Sequence, residues 1–277
     1  MNHAGPTIAA DLEADAALMH RAVREAGAIA LRYFQDEDLR SWDKNPGDPV
    51  SEADHAVDDH LRELLTVARP DYGWLSEETA DDPTRLGRRR VWIVDPIDGT
   101  RAFLKGRPEF TVCIALVEEG RPVLGAVFNP ARDELFEARL GGGATLNGKP
   151  IRATTKATPD GARLLSGRRI FDRAKWRGVP RSLQFEFINS IAYRMVLVGC
   201  GRFDVCLSLD GKSDWDIAAA ELIVTEAGGR VSTARGDGFR YNRRSTRHPS
   251  VVIAGPALHA FFIDWLKDAP RSPGATW

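Results

Sequence analysis

Four consecutive apolar residues, Val91-Trp92-Ile93-Val94, run directly into Asp95-Pro96-Ile97-Asp98-Gly99-Thr100, and this junction constrains the fold more than any other part of the chain. An uninterrupted apolar run of that length suits a strand buried on both faces, which asks for layers of helix and sheet around it. Pro96 has no N–H to give to a ladder, so regular pairing is expected to stop there. The carbonyl of Ile97 is then free to face a cation. Gly99 lets the backbone come close to a ligand, and the amides of Gly99 and Thr100 would open the next helix as an anion cradle. One turn can thus hold a cation and an oxyanion side by side. The same residues also read as a plain strand end with an Asp cap and a Gly turn.

Three further elements carry acids with the same double meaning. Asp214-Trp215-Asp216-Ile217-Ala218-Ala219-Ala220-Glu221 reads as the start of a helix that stops at Gly228-Gly229, and aspartate in a first turn is favoured by the helix dipole. Trp74-Leu75-Ser76-Glu77-Glu78 is a short apolar segment ending in two acids. Asp48-Pro49-Val50-Ser51-Glu52-Ala53-Asp54 leads into an amphipathic helix with apolar Val57, Leu61, Leu64 and Leu65; its acids read equally as a capped first turn.

In this order and spacing, D-P-I-D-G-T followed by W-D-x-A-A resembles the inositol monophosphatase superfamily of magnesium-dependent, lithium-sensitive phosphomonoesterases, from about Leu12 to about Leu266. The resemblance implies that Glu77, Asp95 and the Ile97 carbonyl hold one metal ion, that Asp95, Asp98 and Asp216 hold a second, and that Glu77 lies near a weaker third. It implies catalytic roles for Glu77, for Thr100, whose hydroxyl helps orient the attacking water, and for Asp54, which supports that water through metal-bound solvent. The Gly99 and Thr100 amides match phosphate contacts, Asp98 and Asp216 also border the substrate, and Lys44 falls where the family often has a lysine.

Chemistry gives such a set a reason. Two carboxylates about 4 Å apart repel by roughly 4 kcal/mol at an effective dielectric of 20, so gathering Glu77, Asp95, Asp98 and Asp216 in one cleft demands cations. All-oxygen donors without His or Cys suit Mg²⁺, with Mn²⁺ as a plausible substitute. Two such ions can activate a water and stabilise a leaving alkoxide. The sequence has no G-x-S-x-G, no P-loop and no Cys placed as a phosphatase nucleophile, so no covalent phospho-enzyme is expected.

A formal net charge of −1 over 277 residues argues against general nucleic-acid or membrane-surface binding. No stretch approaches a membrane span, and Met1 to Pro6 lacks the features of an export signal. Cys113, Cys200 and Cys206 sit among apolar neighbours without a C-x-x-C and read as small core residues of a reducing compartment. A cytoplasmic enzyme is therefore expected, and the resemblance implies a homodimer acting on a small phosphorylated metabolite.

Helices are expected near 11–34, 52–68, 189–200, 214–228 and 256–267, with strands near 73–76, 91–95, 110–118, 122–129, 134–138, 163–166, 204–209 and 250–254. Thr111 to Val117, then Glu118-Glu119-Gly120-Arg121, then Pro122 to Phe128 is a hairpin signal. The class is α/β (α+β), which the resemblance sharpens to an α-β-α-β-α sandwich of the sugar-phosphatase type. Its N-terminal half, 1–150, carries most metal ligands; its C-terminal half, 151–277, closes the cleft.

Within the superfamily, Leu75-Ser76-Glu77-Glu78 and Glu109-Phe110-Thr111-Val112 resemble the bacterial 3'(2'),5'-bisphosphate nucleotidases, and Arg194 falls where that branch tends to carry a basic residue suited to a second phosphate. Arg194 reads alternatively as a structural salt-bridge partner. Gly141-Gly142-Gly143-Ala144-Thr145-Leu146-Asn147-Gly148 resembles inositol monophosphatases instead, and Asp98-Gly99-Thr100-Arg101-Ala102-Phe103 is similar to histidinol-phosphate phosphatases. A non-catalytic, metal-dependent binding role is a further alternative.

Overall fold

The computed structural model describes residues 6–166 and 182–267. Helix α1 (Pro6–Tyr33) is followed by strands β1 (Ser41–Asn45) and β2 (Asp48–Ser51), helix α2 (Glu52–Ala68) and strand β3 (Gly73–Ser76). Then come β4 (Arg90–Asp98), a one-turn helix α3 (Thr100–Phe103), β5 (Thr111–Glu118), β6 (Arg121–Asn129), β7 (Glu134–Arg139), β8 (Gly143–Leu146) and β9 (Lys149–Pro150). The second half supplies β10 (Arg163–Ser166), β11 (Gln184–Glu186), α4 (Ile191–Gly199), β12 (Val205–Ser208), β13 (Lys212–Ser213) and α5 (Asp214–Glu226). It ends with β14 (Arg230–Ser232), β15 (Arg247–His248), β16 (Val251–Ala254) and α6 (Pro256–Lys267).

Strands β3 to β9 form one sheet in chain order, parallel between β3 and β4 and antiparallel thereafter. A second sheet runs β11-β10-β12-β16-β14. Side-chain alternation along β4 explains the layers. Trp92 and Val94 enter a cluster with Ala22 and Ala26 of α1 and Val57 and Leu61 of α2. Val91 and Ile93 turn the other way, into a cluster with Val196 of α4, Ile217 and Ile223 of α5, and Cys206 and Ile253 of the second sheet. The far face of that sheet is covered by α6 through Leu258, Phe262 and Leu266. Each sheet is thus apolar on both sides, and the layers read α-β-α-β-α, in agreement with the expected sandwich.

The central layer fixes the site. Helix α5 begins with an acidic turn and continues as Ala218-Ala219-Ala220, and a Cβ on Gly125 of β6 would lie 2.6 Å from the Ala219 carbonyl. Small residues on both partners therefore let α5 press against the first sheet, with its N-terminus at the end of β4.

The structure departs from the sequence-based expectation in several short elements and, more consequentially, in two places near the site. Pairing does not stop at Pro96: Asp95 faces Cys113 and Asp98 faces Thr111, so three steps in β4 meet two in β5. This bulge absorbs the missing N–H of proline and carries the strand through Asp98. The hairpin of β1 and β2 is also an addition, because Ser41-Trp42-Asp43-Lys44-Asn45 is polar and mostly exposed, without the alternation that marks a half-buried strand.

Candidate active site

Acid-bearing ends of three elements converge where the two sheets meet the central helices. Glu77 follows β3, Asp95 lies in β4, and Asp216 stands in the first turn of α5; one carboxylate oxygen from each lies within 4.8 Å of the others. Asp95 is the buried centre, and among the described residues neither of its oxygens has a hydrogen-bond partner. Leaving an ionised carboxylate buried and unpaired costs on the order of several kcal/mol. Two orphaned oxygens between two more acids are therefore the signature of a cation site. The donors are oxygens throughout, which fits a hard ion such as magnesium or manganese.

The electrostatics agree. Burial, followed by the repulsion of Glu77, Asp98 and Asp216, holds the Asp95 carboxyl well above the usual range. Burial raises Glu77 to about 7 against the pull of Lys44, and raises Asp216 to about 6, with Asp98 adding to the effect. Burial alone would lower the Lys44 ammonium, but Glu77 and Glu78 outweigh it and raise it. Lys44 Nζ donates to Glu77 Oε1 and Glu78 Oε1, both at 2.8 Å. The family resemblance implies a lysine near the site; the structure makes it a protein-borne counter-charge on the Glu77 side.

Asp54 and Thr100 are brought together. Asp54 Oδ2 accepts from the Ser51 amide (2.8 Å) and hydroxyl (2.6 Å), while Oδ1 lies 3.2 Å from the Thr100 hydroxyl. The acid thus caps α2, as the capped-turn reading expects, and reaches the Thr100 hydroxyl at the same time. The Thr100 hydroxyl is also 3.0 Å from the Ile97 carbonyl. Gly99 has a φ of +99°, and a Cβ there would lie 2.8 Å from the Glu109 carbonyl, so only glycine suits this turn.

Asp98 lines the same cavity, of about 250 Å³, but stands outside the group of three. Its Oδ2 accepts from the Ser190 hydroxyl and the Ala192 amide, both at 2.6 Å, and its Oδ1 from the Ile191 amide at 3.3 Å. It caps the N-terminus of α4 and keeps one lightly used oxygen, Oδ1. Arg194 is 7% exposed and does not line the cavity; its Nε donates to the Ser190 carbonyl at 3.3 Å, and its guanidinium lies 6.0 Å from the Phe187 ring centre.

The cavity wall also includes Asp48, Arg101, Asn189 and Lys212, for which the sequence alone suggests no role. A signal for Lys212 does exist: it stands four residues before Asp216.

Behind the site, other acids are fully engaged. Asp58 of α2 accepts from the Ser76 and Thr79 hydroxyls, holding the segment that carries Glu77. Asp214 accepts from the Asn242 amide (2.8 Å) and lies 2.7 Å from His248 Nε2. Asn242 in turn takes a bond from Arg85 Nη1 at 2.6 Å, and Arg85 packs against Gly73 at the start of β3. The strand leading to Glu77 and the helix carrying Asp216 are thereby interlocked.

Comparison with known proteins agrees with this geometry. The sequence profile described as the inositol monophosphatase family matches residues 11–269. An inositol-1-monophosphatase of Rhizobium meliloti (strain 1021) is 37% identical over 230 residues, 80% of this chain and 86% of the relative. A histidinol-phosphatase of Chlorobaculum parvum is 35% identical over 222 residues, 76% of this chain and 83% of the relative. Among solved structures, the extragenic suppressor protein SuhB of Bartonella henselae superposes with a TM-score of 0.82 at 29% identity, covering 92% of this chain and 99% of that one.

Proposed function

Because this chain belongs to the inositol monophosphatase family and is a phosphoric monoester hydrolase, we propose that it releases phosphate from a small doubly phosphorylated metabolite, adenosine 3',5'-bisphosphate being the best supported, by attack of a metal-activated water. The observation that carries the metal dependence is Asp95, whose two buried oxygens lack partners between Glu77 and Asp216. Two or three magnesium ions held by Glu77, Asp95, the Ile97 carbonyl, Asp98 and Asp216 would supply an acidified water and offset charge on the phosphoryl and leaving oxygens. The chain's own part is orientation. By donating to Asp54, the Thr100 hydroxyl leaves its lone pairs to accept an O–H from the attacking water. The turn Gly99–Thr100 offers its amides to the phosphate oxygens.

Support for a bisphosphate comes from the Leu75–Glu78 and Glu109–Val112 motifs and from cations in the cavity wall, Arg101 and Lys212. A second reading, inositol 1-phosphate, is favoured by the Gly141–Gly148 motif and by the name of the Rhizobium relative. Phosphate release from adenosine 3',5'-bisphosphate, inositol 1-phosphate, histidinol phosphate and fructose 1,6-bisphosphate, with and without EDTA, tests both. The highest kcat/KM is expected for the nucleotide, abolished by chelation and inhibited by lithium at millimolar levels. A higher value for inositol 1-phosphate overturns the substrate, and activity surviving EDTA overturns the mechanism. We infer also a cytoplasmic homodimer, checked by sedimentation and cell fractionation; no helix among the described residues is long and apolar enough to cross a membrane.

A further inference from the structure

The two lysines at the site differ in one respect. Lys44 is bonded to Glu77 and Glu78. Lys212 lines the cavity beside Asp216, yet its Nζ bonds only the carbonyl of Gly211, at 3.5 Å, and among the described residues it forms no ion pair. A second cation is carried by the same ribbon. Strand β13 pairs with β15, setting Ser213 opposite Arg247, and Arg247 Nη1 is 3.5 Å from the Ser213 hydroxyl. A Cβ on Gly211 would sit 3.0 Å from Arg247 Nη2, so the guanidinium rests over Gly211, the residue before Lys212. Arg247 likewise forms no ion pair among the described residues.

Both cations act on Asp216 from beyond ion-pair distance, and a divalent ion held at Asp216 would take up that charge and repel them both. An anion delivered by the substrate relieves all of these terms together. On the reading above the Gly99–Thr100 turn at the end of β4 would receive the reacting phosphate, whereas Lys212 and Arg247 belong to the β13–β15 ribbon ahead of α5.

We propose that Lys212, with Arg247 of the same ribbon, forms the subsite for the second, non-reacting phosphate of the substrate. This rests on the bisphosphate reading above. The substrate class is then a compact metabolite with two phosphates, one over the acid cluster and one over the β13–β15 ribbon, and Arg194 is not the reader of the second.

The test compares adenosine 3',5'-bisphosphate with adenosine 3'-monophosphate, which differ only in the distal phosphate. Wild type should favour the bisphosphate by at least tenfold in kcat/KM. Lys212→Met and Arg247→Met should each cut that preference by about tenfold, chiefly through KM for the bisphosphate, the loss expected for a charge-assisted contact. The preference should also fall as ionic strength rises. If wild type shows the preference and both variants keep it, the subsite assignment fails while the bisphosphate reading stands. If both variants lose equally on the two substrates, they serve the reacting phosphate and the assignment again fails. If wild type shows no preference, the bisphosphate reading fails and takes the subsite with it. Melting curves of both variants identify any loss due to misfolding, and in that case Lys212→Gln and Arg247→Gln decide between these outcomes.

Discussion

Asp95→Asn should separate two consequences of one carboxylate, because the charge that makes the site bind cations also burdens the metal-free protein. Asp95 shares a 4.8 Å cluster with Glu77 and Asp216. At that separation and an effective dielectric of 20, each like-charge pair costs about 3.5 kcal/mol. If all three acids were ionised, removing Asp95 would relieve about 7 kcal/mol. They are not, since Glu77 is raised to about 7, Asp216 to about 6 and Asp95 well above its usual range. Protons shared within the cluster near pH 7 leave about 1–3 kcal/mol to recover. An asparagine amide is as unpartnered there as the carboxylate, so that penalty nearly cancels. At roughly 2–4 °C per kcal/mol for a chain of this size, the variant should melt about 2–12 °C above wild type in EDTA. Magnesium should then reverse the order. Wild type gains stability by mass action on the folded state, whereas the variant gains little, and its turnover falls by about three orders of magnitude or more. Thermal melts in EDTA and in saturating magnesium, beside phosphate release, read all three quantities. A variant that melts below wild type in EDTA, keeps its magnesium shift and turns over normally would refute the reasoning.

Other expectations follow from the same geometry. In EDTA, Glu77, Glu78 and Asp216 have folded pKa values raised to about 7, about 7 and about 6, above unfolded values of about 4. The folded state therefore holds extra protons between about pH 4 and pH 7, and stability is lost as pH rises through that window. The melting temperature should fall from pH 5.5 to pH 8 in chelator, and magnesium should remove the slope; a rise with pH in chelator would contradict the assignment. Thr100→Val keeps shape but removes the hydroxyl between Asp54 and Ile97, so kcat should fall about 100-fold or more with little change in the magnesium needed for half-activation. A drop in magnesium affinity with kcat intact would make Thr100 a metal-site residue instead. Arg194→Met removes a buried donor to the Ser190 carbonyl and should cost about 1–3 kcal/mol of stability. It should leave the ratio of bisphosphate to monophosphate activity unchanged, and a selective loss on the bisphosphate would restore Arg194 as a phosphate reader.

Much of this molecule is legible in its sequence because its strands are buried on both faces. Val91 to Val94 and Val112 to Val117 are continuous apolar runs that suit a covered sheet. Helix α2 is marked by its apolar spacing at Val57, Leu61 and Leu65, and α2 and α5 by their acidic first turns. What escapes has weak local signals: the polar β1–β2 hairpin, the short strands β8, β11 and β14, and the two-residue strands β9, β13 and β15, which exist through pairing with other segments. At the site, the D-P-I-D-G-T turn and W-D pair mark the elements that carry Asp95 and Asp216 of the acidic cluster. Lys212 escapes because its position depends on β13 meeting β15 through the pairs Lys212↔His248 and Ser213↔Arg247, with α5 and β14 lying between the two strands in the chain. No local spacing records that pairing.

Sequence also cannot rank acids that look alike, and here the structure supplies the criterion. Asp58, Asp214 and Asp54 are as acidic as Asp95 and lie in the same ligand-bearing segments or beside them, yet each is answered by protein donors: hydroxyls of Ser76 and Thr79, the Asn242 amide with His248, and Ser51 with Thr100. These acids hold the backbone. Asp95 alone among them is left with both oxygens buried and unanswered. The two classes depend on each other, since three mutually repelling carboxylates would drift apart unless their elements were tied. Asp58 ties the Glu77 segment to α2, Arg85 and Asn242 tie β3 to the turn before β15, and Asp214 ties that turn to α5 two residues ahead of Asp216. Satisfied acids thus keep the unsatisfied ones together, and a frame of that kind presents a cation with ligands that need little rearrangement on binding.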